Sequence, residues 1–314
     1  SISRRNSDDS QEAFAMISIL IPTFNDDCVA LAHAVATQCR DIHGLDWELI
    51  VGDDGSTNQQ KIDANRQINT WPHCRYWLTG VNRGRAAIRN ALVREARGQW
   101  LLMIDADLKV MAKDYVRQYV SFMSDHPQPC ACCGGYRVGE GSASNLRYLY
   151  EIASKHCQSA KFRQNAPYQS FKLSNTLVSR DVLLRHPLDE RIRHYGYEDV
   201  LLGKNLEKEG LSIAHIDNPV LFDCFEGNAS YIKKIEDSIG VLVALREDLE
   251  GYSSLLSLAG GSIGDVFSRL AFPILSFVHH RLRANLLSSH PSVVVLRLYK
   301  LYLLLSQLRQ SQRL

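Results

Sequence analysis

The sequence predicts an α/β fold in which a mostly parallel sheet carries helices on both faces. Three observations predict it. Between residues 17 and 104, apolar runs of strand length alternate with segments of helical period. The strand segments are almost continuously apolar, as strands buried on both faces are. Each is followed by a polar cluster. In open sheets of this kind ligands bind beyond the carboxyl ends of the strands.

Ile17 to Pro22 is the first apolar run, and Cys28 to Gln38 follows with Leu31, Ala32 and Val35 at helical spacing. Trp47 to Val51 reads as a strand and Gln59 to Asn69 as a helix. Arg75 to Leu78 is a short strand. Arg85 to Ala96 places Ala87, Ile88, Ala91 and Leu92 on one helical face. Trp100 to Ile104 is the next strand, residues 111–126 the next helix, and Cys130 to Gly135 a small buried strand. Residues 139–170 are polar and aromatic and are expected to form a lid or acceptor loop. Val178 to Leu184, Val200 to Glu209 and Ser230 to Leu249 read as helices. Residues 1–15 are polar and aperiodic and are read as a disordered leader before Met16. A catalytic domain is therefore expected over 16–250, followed by a basic, amphipathic helical extension over 251–314.

Composition narrows the function classes. The chain has 314 residues, 45% hydrophobic and 22% charged, which is globular rather than disordered. A net charge of +2 makes no global case for nucleic acid. The longest run without Asp, Glu, Lys or Arg, Gly251 to Gly264, is too short to cross a bilayer. Cys130 and Cys133 have CxxC spacing, but no second pair completes a zinc site. Buried reduced thiols in a cytoplasmic protein are expected.

The polar clusters carry the chemistry. The first strand ends in Pro22-Thr-Phe-Asn25 and the second in Gly52-Asp-Asp-Gly-Ser-Thr57. Asn82-Arg-Gly-Arg-Ala-Ala-Ile-Arg-Asn90 follows the third, and Asp105-Ala-Asp107 ends the fourth. Singly, each has an ordinary reading as a turn, a helix entry or a cap. Jointly, they converge on one sheet edge. If the chain stays extended at Asp105 and Asp107, both carboxylates face one side. Two such oxygen ligands suit Mg²⁺ or Mn²⁺ completed by phosphate oxygens and water. The first strand lacks a Gly-x-Gly-x-x-Gly sequence, which rules out a dinucleotide site of that kind.

Pro22-Thr-Phe-Asn25, Asp53-Asp-Gly-Ser-Thr57, Asn82-x-Gly84 with Arg89-Asn90, and Asp105-Ala-Asp107 together resemble glycosyltransferase family 2, the inverting GT-A enzymes. Gly196-Tyr-Glu-Asp-Val-Leu-Leu-Gly203 resembles that family's acceptor-side Glu-Asp motif. Pro167-Tyr168, Ser170-Phe171, Asn175 and His215-Ile-Asp-Asn-Pro219 resemble a bacterial subgroup that builds surface polysaccharide. The resemblance spans roughly residues 17–245.

The resemblance implies a GT-A sheet and a site for a nucleotide-sugar donor, UDP-linked by expectation. Pro22, Thr23, Phe24 and Asn25 would line it, with Thr23 and Phe24 holding the base and Phe24 stacking on it. Asp53 or Asp54 would accept a hydrogen bond from uracil. Arg83, beside Gly84, and Arg85 and Arg89 would meet phosphate or support the loop. Asp105 and Ala106 would lie by the ribose, and Asp105 and Asp107 would hold Mn²⁺ or Mg²⁺, offsetting charge on the diphosphate. Asp199 would take the acceptor hydroxyl's proton while Glu198 orients the acceptor, with the reverse assignment also open. The bland reading of Glu198-Asp199 is an acidic pair at a helix start.

Two features depart from the family pattern. Phe222 stands where many relatives have a metal-binding His, leaving water, Asp223 or His215 to complete the ion, although His215 reads better as structural. A Gln-x-x-Arg-Trp motif is absent, which argues for transfer of single sugars. The expected activity is thus transfer of one sugar to a hydroxyl of a glycan or lipid-linked glycan. A sugar nucleotidyltransferase or a non-catalytic GT-A scaffold is the alternative.

The C-terminal segment lies beyond the resemblance. After Asp265 there is no acidic residue, while Arg269, Arg281, Arg283, Arg297, Lys300, Arg309 and Arg313 give it +7 and leave −5 for the rest. Pro291 is expected to separate two helices. They would either pack on the catalytic domain with their arginines snorkelling, or anchor the protein peripherally on the anionic cytoplasmic face of the inner membrane.

Overall fold

A computed structural model describes residues 14–311 apart from His194 and Gly260, and the backbone but not the side chains of 261–268. The central sheet begins with β1 (Ile17–Thr23), β2 (Trp47–Asp53), β3 (Cys74–Leu78) and β4 (Trp100–Ile104), all mutually parallel. Helices α1 (Val29–Arg40), α2 (Gln59–Arg66) and α3 (Arg85–Glu95) connect them. Every residue of β1, β2 and β4 is buried. Their side chains alternate between two cores. Ile17, Ile19 and Ile21 point to one with Leu31, Val35 and Leu49. Leu20, Ile50 and Met103 point to the other with Leu92.

The strand β5 (Leu108–Lys109) and helix α4 (Tyr115–Asp125) come next, followed by β6 (Ala131–Cys133) and β7 (Tyr136–Val138). The 139–170 segment folds into α5 (Leu146–Ala153), a 3₁₀ turn and α6 (Ala160–Gln164). It is anchored rather than loose. The Arg163 guanidinium donates to the carbonyls of Cys133, Gly134, Gln158 and Ile216.

Then follow β8 (Asn175–Ser179), α7 (Arg180–Arg185), α8 (Glu198–Lys208), β9 (Ile213–His215) and β10 (Val220–Phe222). The main sheet runs β3-β2-β1-β4-β8-β6-β9, and β5, β10 and β7 make a small second sheet. The helix expected over Val178 to Leu184 is corrected: its first two residues complete β8, antiparallel to both β4 and β6. Asn175-Thr-Leu-Val-Ser179 is wholly buried between two strands, so tertiary pairing overrides a local pattern too short to distinguish strand from helix.

The long helix α9 (Asn228–Ala244) precedes α10 (Ser254–Ala259), α11 (Gly261–Leu287) and α12 (Val293–Ser311). The last helices pack on the rest of the chain. Leu286, Leu296 and Tyr299 join Tyr231, Ile232 and Ile235 of α9, and Leu304 joins Leu242. Glu236 accepts from Tyr299 Oη at 2.8 Å and pairs with Arg283 at 3.2 Å. No helix among the described residues is long and apolar enough to cross a membrane. Most of the expected leader lies outside the described residues. At its end, Phe14 and Ala15 pack against the core.

Candidate active site

Parallel pairing brings the ends of β1, β2 and β4 to one edge, with Thr23 opposite Asp53. The loops there are held by short polar contacts. Asn25, at φ 59°, donates its backbone N–H to the Ser56 hydroxyl oxygen and accepts the Thr57 and Asn58 N–H groups on its side chain. Thr23 Oγ1 is buried with at most the weak Cys28 thiol as a partner among the described residues, and Phe24 stands 44% exposed next to it in the chain. Pro22 is buried in β1.

The two acids after β2 are buried and engaged. Asp53 accepts from Tyr76 Oη at 2.5 Å and Ser56 N at 2.8 Å. Asp54 accepts the Arg83 and Gly84 N–H groups at 2.9 and 2.8 Å. Each carboxylate oxygen already holds a donor, so these residues shape the loops more than they present a vacant acceptor. The turn at Gly55, φ 74°, comes so close to the next loop that a Cβ would lie 2.7 Å from the backbone of Val81 and Asn82. Gly84, at φ 98°, serves the same close approach against Arg193. The Arg83 guanidinium has no partner among the described residues and faces solvent.

Asp105 is not in an extended segment. Leu108 N donates to Asp105 O, closing a turn directly after β4, so the extended geometry expected for Asp105 and Asp107 is not the one observed. Instead Asp105 meets Arg89 Nη2 at 2.5 Å and Arg85 Nη2 at 3.3 Å. Arg85 Nε continues to Glu198 at 3.0 Å, and the second oxygen of Glu198 accepts Gly196 N. The result is a chain Arg89–Asp105–Arg85–Glu198 linking β4, α3 and α8. The sequence shows every member of it but not the connection, because Arg85 and Glu198 are 113 residues apart. Arg85 also lies over the Tyr195 ring.

This chain leaves two carboxylates unengaged. Asp107 is exposed on its solvent side and has no ion pair among the described residues; partial desolvation and the Asp105 charge push it up to about 6 against the pull of Arg85. Asp26, 3.9 Å from the Lys61 ammonium and so not among these two, is also held above the usual carboxylate range by burial. Asp199 opens α8 beside Glu198, with Oδ1 buried and unpartnered. Burial and the neighbouring Glu198 charge raise it to about 7 against the opposing pull of Arg89 and Arg85. Ala106 occupies the turn between Asp105 and Asp107 and packs on the core.

The expected metal set changes accordingly. Asp105 is committed to two arginines. Phe222 is buried against Tyr136 and Phe225. Asp223 is paired with Lys109 at 2.6 Å. His215 is a packing residue between Arg163 and the Pro167 carbonyl, pushed down to about 4 by burial. No three His, Cys, Asp or Glu side chains among the described residues gather closely enough to hold an ion. Asp107, without an ion pair among the described residues, is the carboxylate that would meet a cation brought by a diphosphate.

The sheet order and its helical layers are those of the GT-A fold. More particularly, the chain belongs to glycosyltransferase family 2: the model of that family, described as "Glycosyl transferase family 2", matches residues 18–185. An uncharacterized glycosyltransferase of Haemophilus influenzae is 27% identical over 58% of this chain and 69% of its own length. An N-acetylglucosaminyltransferase of Bradyrhizobium elkanii is 29% identical over 35% of this chain and 60% of its own length. Among solved structures, the mannosyltransferase PcManGT of Pyrobaculum calidifontis, in complex with GDP-Man and Mn²⁺, superposes with a TM-score of 0.57. The match has 14% identity and covers 95% of this chain and 87% of that one. TarS residues 1–349 of S. aureus, in complex with UDP-GlcNAc, gives 0.52 at 13% identity, covering 95% and 92%.

Proposed function

We propose that this glycosyltransferase moves a single hexosyl or N-acetylhexosaminyl group from a nucleotide-sugar donor, UDP-linked by preference, to a hydroxyl of a glycan or lipid-linked glycan, with inversion. The observation that carries the reading is Asp199: a carboxylate at a helix start, one oxygen buried and unpartnered, with its pKa near neutrality. A base so tuned takes a proton effectively at physiological pH. As the acceptor oxygen bonds to the anomeric carbon, its proton passes to Asp199 and the bond to the diphosphate breaks on the opposite face. Glu198 is spent on Arg85 and acts by positioning, which favours Asp199 of the two. Phe24 supplies a stacking face for the base, and Arg83 an uncommitted guanidinium for phosphate. Mn²⁺ or Mg²⁺ held by Asp107, with Asp105 bracing the arginines, would neutralise charge on the leaving diphosphate. The names of relatives, N-acetylglucosaminyltransferases and a putative colanic acid biosynthesis glycosyl transferase among them, support an N-acetylhexosamine donor and a polysaccharide pathway.

The full chain, incubated with a panel of UDP-, GDP- and dTDP-sugars and Mn²⁺, is expected to release nucleoside diphosphate from a UDP-sugar above all others. Release of inorganic pyrophosphate from a sugar phosphate and a nucleoside triphosphate would instead favour a nucleotidyltransferase. Silence in both assays would favour a scaffold.

The same reading places the acceptor at a lipid surface. Leu270, Ile274 and Phe277 of α11 are 69%, 67% and 84% exposed and follow one helical stripe, which continues to exposed Arg281. Arg269 flanks them, and no acid occurs after Asp265. An anionic leaflet complements both the apolar stripe and its charge. Because α12 is built into the α9 core, the tail cannot be deleted cleanly, and point variants make the better test. The full chain is expected to co-sediment with phosphatidylglycerol-containing vesicles, less so at high salt, and Phe277→Glu to abolish this. Equal partitioning of both proteins would rule the surface out, and a dimer broken by Phe277→Glu would assign the stripe to a second copy.

A further inference from the structure

A cavity of about 190 Å³ is lined by the end of β6, the starts of β7 and β8 and the 157–174 segment. The sheet order puts β8 and β6 on the far side of β4 from β1 and β2, away from Phe24 and the donor edge. Two contacts set the cavity beside the reaction without making it part of the same cleft. Ser174, in its wall, accepts the Asp105 N–H on its carbonyl at 3.0 Å. The 168–171 stretch, which supplies Gln169 and Ser170 to the wall, packs on α8 one turn after Asp199, where Gly203 leaves no room for a Cβ against the Tyr168 carbonyl.

The wall chemistry is uncharged. None of the lining residues is an acid. Arg163 is spent on four carbonyls, and Lys172 stands in solvent. The Asn175 amide donates to the Gly135 and Asn218 carbonyls and accepts from Tyr115 and Tyr119. Gln158 donates to Tyr136 Oη at 2.9 Å, and Tyr136 Oη donates to Glu151 at 2.7 Å. What is left unspent is the Gln169 amide and the Ser170 and Ser174 hydroxyls, whose side chains have no hydrogen bond among the described residues. Beside them stands the Phe162 ring, 46% exposed and held edge-on to His156 at 5.7 Å.

We propose that this cavity is a subsite for one uncharged sugar residue of the acceptor glycan, next to the residue that carries the reacting hydroxyl. An amide and two hydroxyls beside an aromatic face match a pyranose, which is polar around its edge and apolar on its C–H face. A charged ligand would meet no uncommitted buried counter-ion there. The volume lies below the roughly 300 Å³ from which drug-sized ligands are held, so the cavity suits a single ring and excludes a nucleotide sugar. The substrate class follows: an acceptor of at least two linked sugars, in preference to a monosaccharide. This deepens the proposed function and rests on Asp199 marking the acceptor side.

The test titrates the full chain, with UDP and Mn²⁺ present, against the methyl glycosides of glucose, galactose, mannose and N-acetylglucosamine and against a disaccharide of each. UDP binding is measured separately. At least one disaccharide is expected to bind about tenfold more tightly than its own monosaccharide, the ratio that one or two net hydrogen bonds support. Phe162 and Gln169 are exposed, so Phe162→Ala and Gln169→Ala leave the core intact. Combined, they are expected to erase the gain while monosaccharide and UDP affinities stay unchanged. Equal affinity within every pair, or a gain that survives the double variant, would overturn the subsite. So would an equal loss for both members of a pair, which would assign the cavity to the reacting sugar itself, and so would absence of all sugar binding while UDP still binds. Failure of UDP to bind would count against the donor reading, and the subsite would then stand or fall on the disaccharide gain measured without nucleotide.

Discussion

Asp199→Asn is expected to lower kcat by about 10²-fold or more while leaving donor affinity little changed, because the amide keeps size and hydrogen bonding but cannot take a proton. The pH dependence follows from the environment. Burial and the Glu198 charge raise Asp199 to about 7, with Arg89, Arg85 and Asp105 the other charges facing it. The base is active when deprotonated, so wild-type kcat should fall about tenfold per pH unit below that value. Stability runs the other way. A carboxyl raised in the folded state contributes fully below its unfolded pKa, and that contribution is lost as pH rises through about 7. The Asn variant has no such loss, so its Tm should gain on the wild type between pH 4 and pH 8. Loss of UDP binding with kcat retained would move Asp199 to the donor side.

Asp105 and Asp107 should separate sharply when each is replaced by alanine. Asp105→Ala leaves the buried Arg89 without its carboxylate partner, and breaking a buried pair from one side costs about 3–5 kcal/mol. Arg85 also loses one of its two acids, so the Glu198–Asp199 turn loses its tie to β4. Urea unfolding should show a large drop in midpoint for this variant together with loss of turnover. Asp107 is exposed and has no basic partner among the described residues. Asp107→Ala should change stability by no more than about 0.5 kcal/mol yet abolish turnover. A stable Asp105→Ala protein beside an unfolded Asp107→Ala protein would reverse the two assignments. Full activity of Asp107→Ala in EDTA would remove the metal from the mechanism.

Much of this molecule is legible one residue at a time. The strands β1, β2 and β4 are mostly apolar, interrupted by Ser18, Thr23, Glu48 and Asp53, so burial on both faces could be read from most of Ile17 to Thr23 or Trp100 to Ile104 without neighbours. The motifs at the strand ends could be placed together because parallel strands must carry their carboxyl ends to one edge. Pro291 separates the last two helices, as the fixed φ and missing N–H of proline dictate.

What only the tertiary structure decided depends on partners distant in the chain. Asn175-Thr-Leu-Val-Ser179 is a strand because β4 and β6 flank it, not because of its own pattern. Asp105 and Asp107 look equivalent in sequence. A turn after Ile104 sends one carboxylate to Arg85 and Arg89 and leaves the other exposed, without an ion pair among the described residues. Glu198 and Asp199 are divided in the same way, by whether Arg85 reaches them.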